Sequence, residues 1–200
     1  SEHVYNRHFF ISQHFRDNYE KALSTLPIIT SDVTITKIEV WVTNIGAAVT
    51  DNRNIVAFTD LGESNPSNPH IFAKTNVPYP DDNINTLKDE IFRGDTSRLR
   101  DISTVFSYLS SLSNLDLVEG VDFDKIESAR KLSSNEYTFN RSLGFISLNT
   151  ALSSSQVLAV AFQYTVNGEV YQVGEFSDGG VNSPNNLVVK LLRATSVNTQ

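Results

Sequence analysis

The chain holds no cysteine and no methionine in 200 residues, and only one tryptophan. Without Cys there is no disulfide, no thiolate-bound zinc or iron–sulfur cluster, and no thiol nucleophile. The compartment stays open, because a cytosolic protein can lack Cys by chance and an exported one avoids mispairing by lacking it. Long apolar runs are missing too: "VLAVAF" at 157–162 falls far short of the ~20 residues a membrane helix needs. The start, "SEHVYNRHFF", has no apolar stretch behind a positive end, so no signal peptide is read there. Beginning at Ser1 with no Met anywhere, the chain reads as an excised or processed piece. Positive charge is in deficit, with a formal net charge of −7, so phosphate backbones and anionic headgroups repel the chain and nucleic acid is not an expected partner.

What is present suits a soluble globular domain. Hydrophobic residues make up 40% and charged residues 20%, enough to bury a core without covalent staples. Phe15, Tyr19, Ala22, Leu23 and Leu26 recur at helical spacing opposite the pairs Arg16/Glu20 and Asp17/Lys21, with Ser12 to cap the start and Pro27 to stop the run. "DVTITKIEVWVTN" reads as a strand whose apolar parity switches between Ile35 and Ile38, which a bulge near Lys37 or burial on both faces explains. "IVAFTDLGE" is a second short strand, and 64–82 is a polar connector holding four of the six prolines.

Asp82 or Asn83 is placed to cap a short helix with Ile84, Leu87, Ile91 and Phe92 in one stripe and Gly94 at its end. A Thr96/Ser97 cap opens a longer helix, with Leu99, Ile102, Val105, Phe106, Leu109 and Leu112 over about four turns. "FDKIESARKL" fits helix and strand alike. "EYTFN", "GFISLN", "VLAVAFQYTVNGEVYQVGEF" and "NLVVKLLRA" read as strands. In the third of these an Asn167-Gly168 turn predicts a type I′ hairpin that sets Tyr164 opposite Tyr171 and Phe162 opposite Val173. Short strands without crossover helices predict an α+β fold, an antiparallel β-sandwich of jelly-roll or immunoglobulin-like type with several amphipathic helices packed on it. It is read as a single soluble domain over 1–200 that divides into a mixed part, 1–115, and a β-rich part, 116–200.

Few residues form a pattern that carries chemistry. His3, His8 and His14 are spaced by five and six, which suits neither a helical nor a strand metal site, and His70 is remote. Asp81-Asp82 precedes a predicted helix and reads as capping, and "VDFDKIE", with Asp122, reads as a solvated face. Ser128 and Lys131 form a Ser-x-x-Lys pattern without the Ser-Asp-Asn and Lys-Thr-Gly partners that a β-lactamase-like site needs. No Gly-x-Ser-x-Gly elbow or phosphate loop occurs, and Gly179-Gly180 reads as a flexible loop. Trp41 is the one candidate for a ligand or partner surface, since an exposed strand Trp can stack on a sugar; core burial is the alternative. No catalytic, metal or cofactor residue is assigned.

Several strings taken together, "HFFISQHFRDNYEKALSTLP", "ITKIEVWVTN", "NRNIVAFTDLGE", "LSSNEYTFNRSLGFISLN" and "VLAVAFQYTVNGEVYQVGEF", resemble a segment of the SprA/Sov family of gliding bacteria, from about His8 to Arg193. The resemblance implies a fragment of a very large outer-membrane β-barrel protein, the translocon of the type IX secretion system that supports protein transport to the cell surface and gliding motility. It implies a soluble module, exposed to the periplasm or cell surface. Its partners would be other parts of the same protein, secretion components and secreted cargo. Two other readings stay open: a cell-surface carbohydrate- or ligand-binding β-sandwich using Trp41, and a hydrolase using Asp81, Asp82 or Asp122.

Overall fold

The computed structural model describes residues 6–46 and 51–195. Nine strands occur among them: β1 (His8–Phe10), β2 (Val33–Val42), β3 (Asn52–Phe58), β4 (Phe123–Lys131), β5 (Tyr137–Phe139), β6 (Phe145–Leu148), β7 (Leu158–Val166), β8 (Glu169–Val173) and β9 (Leu187–Arg193). Four helices accompany them: α1 (Gln13–Leu23), α2 (Leu87–Ile91), α3 (Thr96–Arg100) and α4 (Val105–Ser111).

The main sheet runs β2-β4-β3-β9-β7 and returns to β2, because β2 and β7 also pair, from Val33 opposite Val166 to Val42 opposite Leu158. Five strands therefore close into a barrel, with β8 continuing outward from β7 as the second arm of the hairpin. All neighbours are antiparallel except β3 and β9. A second, three-stranded sheet runs β1-β6-β5.

This architecture corrects the expected sandwich with several packed helices. Strands hold 32% of the chain and helices 16%, and the principal sheet is closed rather than stacked face to face on another. The predicted helix over 97–112 is broken at Asp101, whose backbone is extended (φ −100°, ψ 120°). Its carboxylate accepts from the Ser103 amide at 2.9 Å and the Ser103 hydroxyl at 2.7 Å, a local bond that competes with helix propagation. Strands β2 and β3, from the first half of the chain, share one sheet with β4, β7 and β9 from the second.

Alternation explains how the barrel fills. One face of the five strands contributes Trp41, Ile55, Ala57, Ala129, Ala159, Ala161, Leu187, Val189 and Leu191 to a cluster that contains no helix residue. The other face contributes Val40, Val42, Val56, Phe58, Val160, Phe162 and Val188 to a cluster shared with Phe15, Leu87, Ile91, Leu99 and Val105 of the helices. The first set is the lumen and the second is the outer core. Eight strands leave an interior just wide enough for side chains, so a ring of five leaves less. Four alanines facing one tryptophan meet that limit.

Local signals behave as read. Ser12 caps α1, its hydroxyl accepting from the Phe15 amide at 3.4 Å. A register shift between Ile35 and Lys37 is the bulge that moves β2 from one parity to the other. The hairpin pairs Tyr164 with Tyr171 and Phe162 with Val173, with φ of 50° at Asn167 and 84° at Gly168. Helix α1 docks through Phe15, whose ring meets Tyr164 at 5.6 Å and Phe162 at 6.2 Å, both edge to face. Gly144 lies beneath that ring at φ +71°, where an added Cβ would come within 2.3 Å of Phe15 Cγ.

Lumen filling predicts that Ala159→Leu, opposite Trp41, destabilises the protein by about 1–3 kcal/mol through overpacking. Urea denaturation of wild type and variant measures it, and a loss no larger than that of a surface Ala→Leu change would show that the lumen has room.

Candidate functional site

A gathering of ionisable groups lies under the loop that follows β3. Lys190 points outward from β9, is 3% exposed, and sits 2.9 Å from Glu63 Oε2 while donating to the Thr59 carbonyl. Glu63 also accepts from the Gln13 amide at 3.1 and 3.3 Å, so a carboxylate occupies the positive end of α1. Asp60 accepts from the Ser67 amide at 2.7 Å, the Ser67 hydroxyl at 3.0 Å and the Asn68 amide at 3.0 Å. Asn68 donates on to Asp122 at 3.3 Å, which accepts from the Val118 amide at 2.8 Å. Asn85 donates to the carbonyls of Asp60 and Glu63, each at 2.8 Å. A cleft of about 260 Å³ opens beside this network, with Phe10 and Arg16 on its rim.

Bond by bond, the network is turned inward. The oxygens of Asp60, Asp122 and Glu63 accept from backbone amides, from the Ser67 and Asn68 side chains and from Lys190, which fixes the 59–68 loop and the 118–122 turn against the barrel. A general base needs a lone pair aimed at a substrate proton, whereas the bonds these carboxylates make are to groups of the protein itself.

The adjacent pair Asp81 and Asp82, read as helix caps, does something else. Helix α2 begins only after Thr86. Asp81 accepts from the Gln172 amide at 3.2 Å, Asp82 accepts from the Gly174 amide at 2.8 Å, and the Asp82 amide donates to the Gln172 carbonyl at 2.9 Å. The two residues thus cover the outer edge of β8 at Gln172 and just beyond it at Gly174, part of an unpaired edge that would otherwise invite another strand. Burial pushes the Asp82 carboxyl up to about 6, against the pull of the Gly174 amide and Lys88; Asp81 and Glu175 add to the rise. Asp122 belongs to the Asp60 network instead, so the three carboxylates considered for hydrolysis are divided between two separate structural tasks.

Other sequence candidates fall into place individually. Trp41 is 1% exposed and lies in the barrel lumen, so its indole offers no face to a ligand. His3 lies outside the described residues. His8 Nδ1 meets Ser147 Oγ at 2.8 Å, and His14 packs edge-on to Tyr79 at 5.8 Å, with burial lowering its pKa. Among the described residues no group of three His, Asp or Glu side chains converges as an ion site. Ser128 sits at φ 53° with its amide bonded to Asn54 at 2.8 Å, whereas Lys131 lies 3.7 Å from Glu39. The 177–185 loop holds the Arg53 guanidinium through the carbonyls of Ser177 (3.1 Å) and Val181 (2.6 Å). No helix of the described residues is long and apolar enough to cross a membrane.

An aromatic cluster on the small sheet has no local signature in the sequence. On the outer face of the small sheet, Phe10 and Phe145 meet at 5.9 Å, and Tyr19 of α1 closes the trio at 5.4 and 6.1 Å. Arg16 lies over the Phe10 ring at 5.2 Å. These residues, with His8 and Phe9, line a cleft of about 320 Å³. The aromatic letters were visible in "HFF" and "GFIS", but their meeting depends on the pairing of β1 with β6 and on α1 folding back across both.

No known family model matches this chain, and no curated protein matches it either.

Two stability measurements follow from these networks. Lys190→Met leaves Glu63 buried without its cation and is expected to cost about 3–5 kcal/mol; adding Glu63→Gln, which keeps an acceptor for Gln13, recovers much of the loss in a urea double-mutant cycle. For Asp82 the folded-state pKa lies above the unfolded value. Ionisation therefore costs stability above pH 6, and the cost fades as pH falls through 6 toward the unfolded carboxylate range. Relative to Asp82→Asn, the wild type should gain stability between pH 7.5 and 4.5, and a pH-independent difference would remove this assignment.

Proposed function

We propose that this chain is a non-catalytic structural and interaction module of a SprA-like outer-membrane translocon, serving type IX protein secretion and gliding motility. In this reading it sits at the outer membrane, facing the periplasm or the cell surface. It packs against other parts of the same large protein and meets secretion components and secreted cargo.

Two supports are independent of each other. The assignment to a translocon rests on the strings running from "HFFISQHFRDNYEKALSTLP" to "VYQVGEF". The non-catalytic character rests on one observation: polar side chains gathered in a cleft spend their hydrogen bonds on their own backbone, as Asp60 does with Ser67 and Asn68. Chemistry needs the reverse, a reactive atom left free toward the substrate. A load-carrying module instead needs rigid connectors, and carboxylates that tie loops to a closed barrel supply rigidity.

The carbohydrate-binding alternative loses its platform with Trp41 inside the barrel. Affinity purification of the intact parent protein from outer-membrane fractions tests the leading reading. Co-recovery of other secretion components is expected, whereas a parent found in the cytosol without them would overturn it.

A further inference from the structure

We propose that the outer edge of β1, with the aromatic cleft beside it, is a docking site for an extended, acidic strand of a partner polypeptide. The proposal deepens the interaction-module reading and rests on it.

The free edge follows from register. The Ile11 amide donates to the Gly144 carbonyl at 3.0 Å and the Leu148 amide to the Arg7 carbonyl at 2.7 Å. Positions 7, 9 and 11 are therefore the ones bonded to β6, and the N–H and C=O groups of His8 and Phe10 point away from the sheet. Among the described residues strand β1 has no neighbour on that side, and none of them bonds to those four groups. The contrast with β8 is direct: there Asp81 and Asp82 occupy the outward groups of Gln172 and Gly174. That stretch of β8 is covered, whereas no described residue covers the outward groups of β1.

Unpaired groups in strand register recognise one shape, another extended backbone. Side-chain preference comes from the neighbours. The trio Phe10, Tyr19 and Phe145 is partly exposed and accepts an apolar side chain. Arg16 is exposed and stacked on Phe10. The helical pair expected between Arg16 and Glu20 does not form, and Arg16 has no carboxylate partner among the described residues. On a chain of net charge −7, it stands beside the edge as a cation that no described carboxylate neutralises. Both clefts, of about 260 and 320 Å³, include Phe10 and Arg16 in their walls, so they adjoin along β1. A strand with apolar and acidic residues on one face meets all of these features at once.

The probe is an acetylated, amidated seven-residue peptide in which Thr alternates with Val, Asp and Val, titrated into the isotope-labelled protein and followed by amide NMR shifts. Shifts and slowed exchange are expected at the His8 and Phe10 amides. Arg16→Glu should weaken binding about threefold, the scale of one exposed ion pair, and a peptide with Lys in place of Asp should regain it. Arg16 is exposed, and the free variant's own spectrum verifies its fold. N-methylation of alternate peptide amides should abolish binding. The proposal falls if millimolar peptide leaves β1 unperturbed, if β8 responds instead, or if the N-methylated peptide binds equally well. Such failure leaves co-purification of the parent unaffected, whereas a parent found away from the outer membrane with peptide binding intact sinks only the translocon reading.

Discussion

Closure of the ring by β2 and β7 is the constraint on which the rest of the molecule depends. Once five strands join, the lumen is too narrow for a large side chain from every strand, and it accepts Trp41 only because Ala57, Ala129, Ala159 and Ala161 leave it space. The interior is then a packed apolar core. Everything else must attach to the outside. Helices α2 to α4 lie in the connection from β3 to β4 and bury Leu87, Ile91, Leu99 and Val105 in the outer core. Arg100 ties α3 to the barrel, its guanidinium gripping both oxygens of Glu175 at 2.6 and 2.8 Å, a bidentate geometry that fixes orientation as well as position.

How much of this was legible depends on the range over which each signal acts. Asn167-Gly168 determined its hairpin, Ser12 its cap, and the parity change in "TITKIEV" its bulge, because each is a matter of a few neighbouring residues. Ring closure joins 33–42 to 158–166, and no local pattern states which strand meets which. One clue was present: small residues alternate with large ones in "VLAVAF", and Ala57 sits between Val56 and Phe58, a pattern that suits a narrow lumen on one face and a thick core on the other. The break in the 97–112 helix was also written in the chain, as Asp101 two residues before Ser103, where side-chain capping competes with helical hydrogen bonds. The aromatic cleft was the least legible, since β1 is three residues long and its meaning depends on the strand beside it.

The absence of cysteine and the excess of acid turn out to be connected. A long polar connector such as 64–82 must be held down, and here no disulfide is available to do it. Asp60, Glu63, Asp81 and Asp82 take that role by accepting main-chain amides at several points. Hydrogen bonds to ionised acceptors are about twice as strong as neutral ones, but each buried carboxylate also carries a desolvation cost. Asp82 shows the cost in its raised pKa. Glu63 offsets its own with Lys190 and the start of α1. Such groups specify where a loop lies more than they deepen the energy of the fold.

The outer side of β1 contrasts with the stretch of β8 that Asp81 and Asp82 cover. A chain with carboxylates available to cover β8 could have covered β1 by the same means, since edge protection is cheap in residues. Instead β1 carries aromatic side chains and stands beside Arg16, which has no carboxylate partner among the described residues. In an isolated globular protein that arrangement invites aggregation. In a module embedded in a larger assembly it is where a neighbouring strand would complete the sheet, and the same physics that makes the edge hazardous alone makes it a specific contact in company.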